Sequence, residues 1–218
     1  MKYSQRRLPW WNVAVSVLAV LSLSSCGPQP AEEITEQLSP ETTSALEYSA
    51  EVRAVLAKKT QLVAALAADA VVVDAVRDAN RASEKMSDKD IAELERVWRA
   101  SPQMNELAKS LVINECAQRL IDFQEQHDGF PEIFVTDARG LIAAATNRTS
   151  DYLQADEPWW NETFNAGKGK SHYGAIEYDE SAYSESIPLY VPIIDPQTST
   201  AIGVLKAVCD ITAIKMEL

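Results

Sequence analysis

Ile133-Phe-Val-Thr136, Asp137-Ala-Arg-Gly140 and Leu141-Ile-Ala-Ala-Ala145 form the stretch that decides the fold. Two apolar runs, the first β-branched and aromatic, are separated by a four-residue turn ending in Gly, which predicts an antiparallel β-hairpin. The periodicity differs on its two sides. Upstream, Leu46, Val52, Leu56, Val63, Leu66 and Val76 recur near a 3.6 period, which predicts a helix of about forty residues, or two with a break near Asp69 to Val71. Ser39-Pro40 supplies an N-cap and a first-turn proline for it. Ser87-Asp-Lys-Asp90 reads as a capping box opening a short helix with Ile91, Leu94, Val97 and Trp98 inward. Ser101-Pro102 opens a third, carrying Leu107, Leu111, Cys116, Leu120 and Phe123, closed by Asp128-Gly129.

Downstream, strands are expected near His172–Glu177, Glu185–Ile194 and Ala201–Ile211, with Asp195-Pro196 turning into the last. A short helix is expected within Asp156–Asn165, with Pro158 in its first turn. Helices first and antiparallel strands afterwards argue an α+β fold, with the helices packed on one face of the sheet.

The amino terminus reads as a targeting segment. Lys2, Arg6 and Arg7 precede the apolar run Val13–Leu23, which is too short for a stable membrane span. It ends in Leu23-Ser-Ser-Cys26, which resembles the lipobox of bacterial lipoproteins. That resemblance implies cleavage before Cys26, a diacylglyceryl thioether on its sulfur and an acylated amine; an ordinary cleaved signal or a short anchor is the alternative. Residues 1–25 are then a signal peptide, 26–41 a flexible tether rich in Pro and Glu, and 42–216 a single domain, with a helical lead-in over 42–129 and the sheet over 130–216. Gly27 stands where an Asp would favour inner-membrane retention, so outer-membrane sorting is favoured in a cell with two membranes. The formal net charge of −12 repels phosphate backbones and argues against nucleic-acid binding. Cys116 and Cys209 remain for either buried thiols or a disulfide.

Enzymatic chemistry finds little support. His127 and His172 fall in different predicted elements, and no His or Cys pair has metal-ligand spacing. Neighbouring acids such as Asp156/Glu157 and Asp179/Glu180 would point to opposite faces of a strand. Neither a cofactor nor a metal is expected.

The aromatic and acidic segment Asn147–Trp160 holds two of the chain's five Trp, one Tyr and three carboxylates. Helical neighbours point about 100° apart, so one of Trp159 and Trp160 would face the core and the other a cavity. A Trp face beside a carboxylate suits a cationic guest. A second hydrophobic core under a long loop is the competing reading.

Phe134-Val-Thr-Asp-Ala-Arg-Gly-Leu141, Thr149-Ser-Asp-Tyr152, Asp156-Glu-Pro-Trp-Trp160, Tyr178-Asp-Glu-Ser181, Val191-Pro-Ile193 and Ile202-Gly-Val-Leu-Lys-Ala-Val208 resemble, in order and spacing, a Cache domain. This is the PAS-like extracytoplasmic sensor module of bacterial chemoreceptors and sensor kinases. The resemblance implies a long amino-terminal helix on a five-stranded antiparallel sheet, with a ligand between the sheet and the loop and helix after the second strand. It implies a ligand-binding set of Tyr152, Glu157, Trp159, Trp160, Tyr173 and Asp179. Amino-acid-binding members carry Tyr-x4-Arg-x-Trp-Tyr in that segment. Here Glu157 stands at the arginine position, which disfavours a carboxylate and favours an amine, a cation or a neutral polar solute. The chain runs only seven residues past the last predicted strand. The expectation is therefore a lipid-anchored sensor acting through an envelope partner, with a solute-capturing lipoprotein serving a transporter, or a structural lipoprotein with a degenerate pocket, as alternatives.

Overall fold

A computed structural model divides the chain into Met1–Ser44 and Ala45–Leu218. It describes residues 48–101, 103–179 and 184–218. The expected signal segment, Cys26, the expected tether, Leu46 and the expected Ser39-Pro40 cap lie outside the described residues.

The lead-in is two helices, α1 (Ala50–Ala67) and α2 (Ala70–Ser83). The break falls where Asp69 stops one and caps the other, its side chain accepting from Val71 N at 2.9 Å. Arg119 braces the corner by pairing with Asp69 at 2.8 Å. Helix α3 (Asp88–Ala100) opens with the expected capping box between Ser87 and Asp90. The third predicted helix is two, α4 (Glu106–Ile113) and α5 (Glu115–Gln126). Asn105 and Asn114 each accept from a backbone N–H three residues on, so Asn114 restarts the helix in a new direction.

The hairpin forms as β1 (Glu132–Asp137) and β2 (Ile142–Ala145). Its turn needs Gly140, at φ +78°, where a Cβ would meet Ala155 N at 2.5 Å. Then follow α6 (Pro158–Phe164), β3 (His172–Tyr173), β4 (Glu177–Asp179), β5 (Ser184–Ile194), β6 (Ala201–Asp210) and α7 (Ile211–Lys215). The sheet is antiparallel in the order β2-β1-β6-β5, with β3 and β4 both paired to β5. The single edge strand expected near His172–Glu177 thus arrives as two short pieces. The fold is α+β.

Period-2 alternation sorts the strand residues onto two faces. Ile133, Val135, Leu189, Val191, Leu205 and Ala207 join Leu56, Val63, Val72 and Leu120 in the main core beneath α1, α2 and α5. Gly203 permits that packing, since a Cβ there would meet Thr136 O at 2.0 Å and Val76 Cγ1 at 2.8 Å. A second cluster joins Ile91 and Trp98 of α3 and Leu111 of α4 to Phe134, Ile142 and Tyr152.

Candidate functional site

The face of the sheet turned away from α1 and α2 carries one row of residues in cross-strand register. Phe134 on β1 pairs with Lys206 on β6, Lys206 with Tyr190 on β5, and Tyr190 with His172 on β3. Adjacent positions across a ladder place side chains within reach of one another. Here they place an ammonium between two aromatic rings.

Helix α6 roofs this row. Pro158 starts it, Asn165 ends it in the left-handed conformation, and Ala166, Gly167 and Gly169 follow with positive φ. Trp159 lies flat on Tyr190, with ring centres 4.7 Å apart and planes 11° apart, and meets Phe134 edge-on at 6.2 Å. Lys206 Nζ is 5.4, 5.8 and 6.0 Å from the ring centres of Trp159, Phe134 and Tyr190. The lysine side chain is 17% exposed, and its nearest carboxylate among the described residues is Glu177 at 4.0 Å. An ammonium this near several rings gains electrostatically, by about 0.5–2 kcal/mol where it lies over a ring face.

The rim is acidic. Burial raises the pKa of the Tyr190 hydroxyl, and the nearby charges of Glu177 and Glu157 raise it further. The charges of both carboxylates are therefore felt at that hydroxyl. His172 completes the row: its ring is 4.9 Å from Tyr190, and its Nε2 is 3.6 Å from Glu162. Its Nδ1 is buried without a hydrogen-bond partner among the described residues. Burial lowers the pKa of His172, with Glu162 opposing, so the imidazole is neutral near pH 7.

The residues singled out from the sequence separate into groups. Trp159 and Glu157 belong to the cage and its rim. Trp160, only 4% exposed, faces inward, donates from Nε1 to Thr136 Oγ1 at 2.8 Å and stacks on Phe164. Trp160 thus takes the inward position and anchors the helix, while Trp159 packs on Tyr190 and lines neither hollow described below. Tyr152 stands apart, packed on Trp98 at 5.5 Å in the second cluster. That part of the segment is the second core under a loop. Tyr173 is on the opposite face of the sheet, against Tyr48 at 5.7 Å, because in a two-residue strand only one side chain points each way; His172 takes the cage side. Asp179 sits on β4 opposite Ser184 in register, and its side chain lies outside the described residues.

Much of the segment is also tied to α3. Glu95 accepts from Tyr152 N and Leu153 N at 2.9 Å each, Arg148 donates to Trp98 O and Ser101 O, and Trp98 Nε1 donates to Thr149 O. Residues 148–154 are therefore pinned to α3.

Lys206, Tyr190, Phe134 and His172 were not read from the sequence as site residues. The available signal was Lys206 itself, a charge at an interior position of an otherwise apolar strand. It also changes the electrostatics: a bare amine would meet a cation already seated on the ring faces.

Among the described residues no group of His, Cys, Asp and Glu is arranged to hold a metal ion, and no helix is long and apolar enough to cross a membrane. Hollows of about 610 and 760 Å3 occur elsewhere, and neither is lined by α6.

No family model matches the chain, and no curated protein matches it. Among solved structures, it is similar to the ligand-binding domain of the Campylobacter jejuni chemoreceptor Tlp3 in complex with 4-methylisoleucine. That likeness has 13% identity and a TM-score of 0.37, over 78% of this chain and 64% of that one. It is similar to the ligand-binding domain of the Pseudomonas aeruginosa amino acid chemoreceptor PctC in complex with GABA, at 11% identity and a TM-score of 0.42, over 76% and 57%. A third is the extracellular domain of the putative histidine kinase rpHK1S-Z16, at 14% identity and a TM-score of 0.37, over 71% and 58%. The chain spans roughly three fifths of the length of these matched chains.

Proposed function

We propose that this chain is a lipid-anchored extracytoplasmic module that binds one small zwitterionic solute between the sheet and α6, and passes occupancy to an envelope partner. The carrying observation is Lys206, seated among Trp159, Phe134 and Tyr190 with Glu177 and Glu157 at the rim. An incoming carboxylate would pair with Lys206, and an ammonium with the rim glutamates. The solute's apolar body would replace Tyr190 as the partner of the Trp159 ring. A simple amine satisfies only the rim, so the amine preference drawn from Glu157 alone is revised to a solute bearing both charges. The unpartnered Nδ1 of His172 adds a polar group for orientation.

Binding would lift α6 about its left-handed exit at Asn165–Gly169 while residues 148–154 stay fixed to α3. That displacement is what a partner would read. The lipid on Cys26, the outward-facing location and the partner belong to this proposal through the lipobox-like Leu23–Cys26.

Calorimetry on the full chain in detergent, with leucine, isoamylamine and 4-methylpentanoate as matched guests, tests the reading. The zwitterion should bind best, and Lys206→Met should weaken it by about 2 kcal/mol, roughly thirtyfold. Equal binding of isoamylamine and leucine, unaffected by Lys206→Met, would reject it.

A further inference from the structure

The hollow of about 610 Å3 lies at the β2 edge of the sheet, where α2 and the α4–α5 corner meet that strand. Its volume falls within the range of small-molecule sites. Val71, Ala75, Ala79, Leu111, Leu141 and Ile142 give it an apolar wall. The small side chains of α2 leave space where larger ones would close the gap between helix and strand.

Two further observations give this hollow chemistry. Its lining includes Asp74, Asp78, Glu115 and Asp137 and no Lys, Arg or His. Asp137 is engaged by Ser83 Oγ at 2.6 Å and by the backbone N–H groups of Arg139 and Leu141 at 2.9 Å. Arg77 pairs with Asp74, and Arg81 with Asp78, while Glu115 has no cationic partner among the described residues. Independently, Tyr152 lines the hollow and is only 7% exposed, yet its hydroxyl makes no hydrogen bond among the described residues. Burial first, and Asp137's charge second, push its pKa up to about 12, which places the hydroxyl near that carboxylate and keeps it protonated. Arg148 Nε and His172 Nδ1 are the fully buried unpartnered side-chain atoms among the described residues, so the Tyr152 hydroxyl is open toward the hollow, where a guest can bond it in place of water.

We infer that this hollow is a second binding site, for a small organic cation with an apolar body. The body would lie along Ala75 and Ala79 against Leu141, with the charged end toward the carboxylates and a polar atom reaching the Tyr152 hydroxyl. The site shares no residue with the cage, so it stands or falls separately from the zwitterion reading.

Nuclear magnetic resonance titration of the full chain in detergent with phenethylamine, 2-phenylethanol and 3-phenylpropionate tests it. Phenethylamine should shift the amide signals of Ala75, Ala79 and Leu141, the alcohol should do so more weakly, and the acid should not. Tyr152→Phe removes only the hydroxyl and should weaken phenethylamine about tenfold. Ala79→Phe fills the space and should abolish binding, whereas Lys206→Met should leave it unchanged. Absence of shifts at these positions, equal response to the acid, or undiminished binding to both Tyr152→Phe and Ala79→Phe would overturn the inference.

Discussion

Lys206 Nζ lies 5.4 Å from the centre of the Trp159 ring, a tryptophan already stacked on Tyr190. Chain separation between the two residues is large, so the contact exists only because β6 runs beneath α6. It joins the flap to the sheet by attraction that a competing guest can exchange. Trp159→Phe keeps an aromatic roof and should leave the fold intact while weakening a zwitterionic guest about tenfold. A calorimetric titration alongside a melting curve checks both halves.

Trp160 should behave differently from its neighbour. It is buried and fixed to Thr136, so Trp160→Ala should cost about 3–5 kcal/mol in a denaturant melt. Thr136→Val probes the same anchor more gently. It leaves the indole N–H buried without an acceptor, for a loss of about 1–3 kcal/mol. If Thr136→Val and wild type melt alike, the Trp160–Thr136 bond does not hold the flap.

The pH dependence isolates His172. Its folded pKa is lowered, so the folded state disfavours the proton relative to the unfolded chain. Its contribution is complete above the unfolded value near 6.5 and is lost as the pH falls through the folded value. Stability should therefore decline on acidification from about pH 6.5, before the carboxylates titrate. His172→Gln should flatten that decline. An unchanged slope in the variant would remove His172 as its source.

Local signals made much of this fold readable: the Gly140 turn, the Ser87–Asp90 capping box, the Pro158 start and the strand periods after residue 130 all act within a few residues. Asn105 and Asn114 restart helices just as locally, but among apolar residues whose period continued across them. The cage was not legible because its row spans four strands. Phe134, Lys206, Tyr190 and His172 become neighbours only through register, which depends on the bulges and turns that align four separate strands. Tyr173 shows the sensitivity of such readings, since a shift of one residue along β3 exchanges His172 for Tyr173 and one face for the other.

Cys116 and Cys209 are free and buried in the main core. Burial, with nearby carboxylates adding to it, pushes the Cys116 thiol up to about 12, and burial pushes Cys209 up to about 11. The thiolate is the reacting species, so both should resist a water-soluble disulfide reagent at pH 8 in the native protein and react on unfolding. Rapid labelling of either in the folded state would show that the core opens locally at α5 or β6.

The last ion pair worth breaking joins the first helix to the carboxyl end of the described chain. Lys59 is 3% exposed, and its Nζ lies 2.7 Å from Glu217 and 5.2 Å from the Phe130 ring centre. Glu217 is more exposed and also pairs with Lys58 at 3.0 Å, and its pKa is lowered by Lys59 first and Lys58 second. Its stabilising effect is present above about pH 4.5 and lost as the pH falls through the lowered folded value. Glu217→Gln at neutral pH leaves a buried ammonium with only a neutral acceptor, so a loss of about 2 kcal/mol is expected. Lys58→Met removes only an exposed partner and should stay within about 0.5 kcal/mol of wild type. Equal losses in the two variants would mean that burial of Lys59, rather than the count of surface pairs, is not what gives Glu217 its weight.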